Sequence, residues 1–294
     1  EMRTRTKSYC EKCIRDFKVI YPEWLSDKSD AVQRACDRCP PGGRVVLTKT
    51  YFTNPIVLGP QHAGIAIVGL GSPLQRFVDT GGGAALYLKD GADADVISIV
   101  GVRGDRVAIT LDSFKINGNK RNNTAGCGIR IFQVKDVLIG RLFIEDCAEH
   151  GFQAGEPNGN SNQLIVDYLE VQNCNGRGLN LGSLADSNFN VCAAAQCGDI
   201  GMYLSGSNLK FGRLRAYLNR NAGVNVAGKN CFVSEVHANE NDRAGLRLVG
   251  KLNRVVAALC YNNGKGPQTG VLDDKAGIYI HRNARKNWIG HADL

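Results

Sequence analysis

The sequence predicts an all-β solenoid, a parallel β-helix wound by a single chain, and three observations carry that prediction. A four-residue phrase led by glycine recurs from Gly128 onward: GIRI, GFQA, GLNL, GMYL, GVNV, GLRL and finally GIYI at Gly277. Its glycines are 23, 27, 23, 22, 22 and 32 residues apart, a period that belongs to repeat architectures. No helical pattern or leucine framework fills the intervals, which excludes leucine-rich repeats and leaves one β-coil per repeat. A second column keeps the same register: Cys147, Cys174, Cys197, Asn219, Asn241 and Asn263 close successive coils, 18 to 23 residues after their glycine. Asn tolerates the left-handed backbone of a tight turn. Stacked asparagines can bond their neighbours above and below, and Cys, a small hydrophobe, fills the same inward corner. Third, 35 glycines and a hydrophobic content of 43% suit strands and turns around a continuous core.

A solenoid of 294 residues is one elongated unit. It divides into an N-terminal segment with a capping helix (1–43) and the β-helix proper (44–294). The net charge of +8, from 36 basic and 28 acidic residues, favours an acidic partner. An anionic polysaccharide, a nucleic acid or an anionic surface would each fit that charge, and no nucleic-acid motif is present. No stretch approaches the roughly 18 apolar residues of a membrane span, and no apolar signal-peptide core follows the start. Eleven cysteines cannot all pair internally, and several sit in columns that predict reduced, buried thiols.

Residues 1–28 are basic and irregular. From Ser29 a short helix is expected, capped by Ser29 or Asp30, with Val32, Ala35, Cys36 and Cys39 on one stripe. Pro40 and Pro41 stop it and Gly42–Gly43 turn the chain. Such a helix would cover the otherwise unpaired edge of the first coil. Cys10, Cys13, Cys36 and Cys39 have paired C-x2-C spacing, and four thiolates would close a structural zinc site with no open position. Burial of Cys36 and Cys39 against the first coil explains those two without metal. Strands are then expected at Arg44–Leu47, Thr50–Leu58, Ile65–Val68, Ala85–Leu88, Val96–Val100 and Val107–Leu111. Three segments break the coil length, at Asn117–Cys127, Ala154–Gln163 and Gly264–Ala276, and insertions in solenoids often wall a binding face.

The stretch SDAVQRACDRCPPGGRVVL, followed by TYFTNPIVL, resembles the opening segment of the pectate-lyase-like superfamily. The later GIAIVGLGS and ITLDSFKINGNK resemble its early coils, so the resemblance covers about residues 29–294. It implies a right-handed parallel β-helix of the polysaccharide lyase, glycoside hydrolase, epimerase or viral tailspike kind. The polygalacturonase-like motifs are matched only in part, by His150–Gly151 and Arg177. Where paired aspartates would stand on the coil before, this chain has Gly126–Cys127.

Alternation turns the first and third residues after each glycine inward and the second outward. The outward column is Arg130, Gln153, Asn180, Tyr203, Asn225, Arg247 and Tyr279. At about 4.8 Å per coil it forms a ribbon about 29 Å long, of side-chain types that grip hydroxyls, carboxylates and sugar faces. Glu149, His150, Arg177, Asp199, Arg243 and Asp273–Asp274 stand just before the glycines. Glu149 and Asp199 share a register two coils, or about 9.6 Å, apart, near the separation that an inverting glycosidase uses to admit water. Were the chemistry β-elimination, His150, Arg177 or Arg247 would matter more. The expectation is an extracellular or virion-borne β-helix that binds and cleaves an acidic polysaccharide. The alternative is a non-catalytic structural or receptor-binding β-helix of a virus particle. Because no polar cap follows the coil from Gly277, a longer chain, a C-terminal domain or a trimeric partner is expected there.

Overall fold

The inward positions of the Gly-led phrase are apolar on every coil, and burying them fixes where each strand must lie. In the computed structural model these residues, from Ile129 and Ile131 through to Leu246 and Leu248, are no more than 1% exposed. The structure describes residues 18–25, 30–71, 83–155, 161–267 and 276–294.

All strand pairings are parallel, as a helical coil of one chain requires. The Gly-led strands Ile129–Lys135, Phe152–Ala154, Leu179–Ala185, Met202–Ser207, Val224–Val226, Leu246–Leu248 and Ile278–Ile280 stack in chain order. Ile56–Leu58 and Ile97–Arg106 precede them in the same ten-stranded sheet. A fourteen-stranded sheet forms the rest of the wall. Its longer strands, such as Asn188–Ala195 and Lys210–Tyr217, bend at one residue per coil that drops out of the ladder, including Gly140, Asp167, Asn190 and Gly212. One earlier coil shows the bend as a break, where Thr110–Asp112 and Phe114–Asn117 both pair with Leu138–Glu145. Each long strand therefore lines two faces, and the coil has three.

The corners are where the sequence reading needs correction. The left-handed residue is the one before the expected column: Asp146, Asn173, Gln196, Leu218, Glu240 and Asn262, with φ between 53° and 58°. The residue that follows points inward. Asn219 Nδ2 donates to Asn241 Oδ1 at 2.9 Å and Asn241 Nδ2 to Asn263 Oδ1 at 2.9 Å. Asn219 Oδ1 accepts the Cys197 backbone N–H at 3.1 Å, so the cysteine and asparagine segments form one column. Asparagine is there for its inward amide and not for tolerance of positive φ. A second corner repeats the device, with left-handed Asp186, Asn208 and Asn230. Inward Asn253 Oδ1 there accepts the Cys231 N–H at 2.9 Å. All nine described cysteines are free and buried.

The capping helix α1 spans Ala31–Arg38, with Val32, Ala35 and Cys36 buried. Asp30 holds the N-cap position but makes no cap bond; its carboxylate accepts from the Asn54 amide instead. Ser29 lies outside the described residues. From the helix, Gln33 reaches the edge strand Ile56–Leu58: its Nε2 donates to Val57 O at 3.0 Å and its Oε1 accepts Val57 N–H at 2.7 Å. One side chain thus takes the place of a neighbouring strand. Gly42, at φ 75°, turns the chain into Arg44–Leu47, and Val19–Ile20 pairs with Arg44 and Val45 at that edge.

Two outcomes test this packing. Gln33→Ala leaves the Val57 donor and acceptor to water and should lower stability by about 1 kcal/mol; an unchanged denaturation midpoint would show that the edge needs no cover. Cys174 is 1% exposed and its Sγ–H donates to Gln172 O at 3.4 Å. Cys174→Asp should cost roughly 3–5 kcal/mol through an uncompensated buried charge. Rapid thiol labelling of Cys174 in the native protein would contradict the register.

Candidate functional site

The second residue of each phrase cannot enter the core, so it builds the outer face of the Gly-led sheet. The register is continuous: Arg130, Gln153, Asn180, Tyr203, Asn225, Arg247 and Tyr279 are direct partners on successive coils. Exposure along the ribbon is uneven, which alternation alone does not foretell. Gln153, Asn180 and Asn225 are only 8%, 1% and 5% exposed, set low between longer arginines and tyrosines.

Two clusters organise the face. In the first, Arg130 Nε donates to Asp95 Oδ2 at 2.7 Å and its Nη2 to Glu149 Oε2 at 3.3 Å. Asp95 also accepts from Ser98 Oγ at 2.9 Å and from the Cys127 backbone N–H at 2.8 Å. Cys127 Sγ–H donates to Gln153 Oε1 at 3.2 Å, and burial pushes its pKa up to about 12, which favours the protonated, hydrogen-bond-donating thiol. Asp95 escaped the sequence reading because its coil lacks the glycine phrase. Its place two residues before Ile97, which pairs with Ile129, was the available signal.

In the second cluster Arg177 is held three ways. Its Nε donates to Asp199 Oδ2 at 3.2 Å, its Nη1 to Asn180 Oδ1 at 2.7 Å, and its guanidinium lies 4.2 Å from the Tyr203 ring centroid. Asn221 Nδ2 donates to the other Asp199 oxygen at 2.8 Å. The imidazole of His150 is engaged as well, since Nδ1 accepts the Arg177 backbone N–H at 3.0 Å. Further along, the Arg247 guanidinium stands 5.7 Å from the Tyr279 ring centroid.

Glu149 and Asp199 do share one column. Gly176 lies between them, donating N–H to Glu149 O at 2.8 Å and accepting from Asp199 N at 3.2 Å. That middle position suits glycine, because a Cβ there would come within 2.5 Å of His150 Nδ1: the imidazole occupies the space that a side chain would take. Both carboxylates remain accessible from outside, at 45% and 37% exposure. Asp273 and Asp274 lie outside the described residues, as do Cys10 and Cys13. Cys36 and Cys39 pack in the hydrophobic core at 1% and 8% exposure, where burial raises the Cys36 thiol pKa and pushes that of Cys39 up to about 11.

No protein-family model matches the chain and no curated protein matches it in sequence. Solved structures do. The A-module of mannuronan C-5 epimerase AlgE4 from Azotobacter vinelandii is 15% identical, with 93% of this chain and 97% of that one covered at a TM-score of 0.56. The ORF18 protein of Geobacillus virus E2 is 15% identical over 96% of this chain and 63% of its own, at 0.57. Tailspike protein 2 of bacteriophage CBA120 is 14% identical over 92% of this chain, at 0.58, and here the chain spans 42% of the tailspike's length. The chain is a right-handed parallel β-helix. The parallel β-helix expected from the opening helix and the early coils is the fold observed over the described residues.

If the ribbon is a working surface and not scaffold, Tyr203→Ala and Arg247→Ala should each cost about 1 kcal/mol or less in stability. A melting temperature lowered by tens of degrees in either variant would make the ribbon structural.

Proposed function

We propose that the Gly-led face binds an acidic polysaccharide along its length and cleaves it. Asn225 carries the reading. It sits between Tyr203 and Arg247 on the ribbon, and its buried Oδ1 has no hydrogen-bond partner. Such an orphan acceptor costs about 1–3 kcal/mol, and a sugar hydroxyl that reaches it as the flanking ribbon side chains part would supply the missing donor. Tyr203 and Tyr279 offer flat faces to a sugar ring, and Arg247 a planar fork for a carboxylate. The net charge of +8 favours an acidic chain over a neutral one. Support also comes from the epimerase among the structural neighbours, since mannuronan, the polymer in its name, is a polyuronate.

For cleavage, Glu149 and Asp199 are the reacting carboxylates, one as general acid and one as base for a water held between them. Arg130, Arg177 and His150 position them. Asn180, Gln153 and Arg130 then belong to the binding face. A second reading, receptor binding without turnover on a virus particle, is favoured by one observation: each of the two carboxylates is already paired with an arginine. In either reading the protein works outside cells or on a virion, as the tailspike likeness supports. Self-association is a separate proposal, with a homotrimer as the assembly to test by light scattering. A structural zinc on Cys10, Cys13, Cys36 and Cys39 is a separate proposal, supported by near one equivalent of zinc in protein purified without chelator and ended by its absence.

Asn225→Leu removes the orphan acceptor without opening a cavity. It should weaken binding to polygalacturonate or alginate about tenfold while leaving stability unchanged or raised; undiminished binding would overturn the reading. Glu149→Gln and Asp199→Asn should each abolish release of reducing ends while retaining binding. Wild-type protein that binds and releases no product across both polyuronates would decide for the receptor-binding reading.

A further inference from the structure

Where each Gly-led strand ends, the chain turns through small residues, and the side chain that follows is basic on three successive coils. Ser207, Lys229, Lys251 and Arg285 are direct coil-to-coil partners, which sets their backbones about 4.8 Å apart. The three cations are exposed. Among the described residues no carboxylate pairs with Lys229, Lys251 or Arg285, although other basic side chains of the molecule, such as Arg130, Arg177 and Arg213, have acidic partners. Like charges directly opposite one another in neighbouring strands are destabilising. A stack of three therefore works against the coil, and an exposed corner has no packing need for it.

Beside this ladder runs a trench of about 450 Å³. It crosses five coils, from Gly182 to Asn283, and no Asp, Glu or aromatic residue lines it. Its floor is flat because the coils approach too closely for side chains: a Cβ at Gly250 would overlap the Gly228 carbonyl, and one at Gly206 the Leu184 carbonyl. Ser205 and Ser207 add hydroxyls to the lining. On four of the five coils the trench begins two residues beyond the ribbon, as at Ala227 after Asn225 and at Val249 after Arg247.

We infer that this trench is a second binding track, in which Lys229 and Lys251, with Arg285 next to them in the ladder, hold the anionic groups of an extended acidic polysaccharide alongside the Gly-led ribbon. The inference rests on the reading of that ribbon as a polysaccharide site and adds where the charges go. An anion repeating at each sugar of an extended chain meets a cation repeating at each coil, and this match of repeats selects a polyuronate over a neutral glucan. A single-stranded nucleic acid fits less well, because such sites depend on aromatic platforms for the bases and the trench has none.

The test is calorimetric titration of the whole chain with polygalacturonate, alginate, neutral dextran and a single-stranded oligonucleotide. Lys229→Gln with Lys251→Gln should weaken polyuronate binding about tenfold and flatten its salt dependence, while Lys229→Arg with Lys251→Arg keeps it. The melting temperature should be unchanged or higher, because the replaced groups are exposed and mutually repulsive. Undiminished polyuronate affinity in the glutamine variant overturns the trench, and if Asn225→Leu still loses binding, the ribbon reading survives alone. Loss in the lysine variant with none in Asn225→Leu supports the trench and removes the ribbon. Equal binding of dextran, tighter binding of the oligonucleotide, or no polyuronate binding by wild-type protein each overturns the assignment.

Discussion

One constraint governs this molecule: every coil must hydrogen-bond to the next at the spacing of parallel strands, about 4.8 Å. Residues at equivalent positions then become neighbours whether or not they suit one another. The Asn219–Asn241–Asn263 amides and the stacked Phe189 and Phe211 rings, 5.2 Å between centroids, are cases in which like residues profit from stacking. Lys229 over Lys251 is a case in which they do not. The same spacing that builds the core therefore writes charge and aromatic columns on the outside.

The stacking also explains why the site is assembled from short-range pieces. Arg177 reaches Asp199 and Tyr203 one coil on, and Arg130 reaches Asp95 one coil back and Glu149 one coil on. Each arginine is thus pre-positioned by groups 19 to 35 residues away in sequence. Holding guanidinium and carboxylate groups in place before a ligand arrives lowers the ordering cost of binding. It also partly neutralises the carboxylates, which is why turnover and receptor binding have to be separated by product analysis.

Much of the fold was legible in the sequence because a coil repeat leaves a period. The inward and outward residues of the Gly-led phrase, from Ile129 to Tyr279, lie where alternation placed them, and the stripe Val32, Ala35, Cys36 and Cys39 faces the core as the helical period requires. Less regular coils were harder to read. Val107–Leu111 contains Ala108 at φ 46°, which delays the strand to Thr110–Asp112, and Asp95 was hidden for want of a glycine phrase. The bends at Gly140 and Gly212, and the grip of Gln33 on Val57, are tertiary matters with no local signature. At the site the ribbon was legible, whereas the depth of Asn180 and Asn225 was not, since burial there depends on how long arginines on neighbouring coils lie.

The central claim, that coil register sets the position of a bound acidic sugar chain, is tested most directly by a crystal structure with a short oligouronate. The account predicts sugar rings along the Gly-led face, with a hydroxyl donating to Asn225 Oδ1 and a carboxylate at Arg247. Oligosaccharide ordered on the bent fourteen-stranded wall, with the Gly-led face bare, would contradict it.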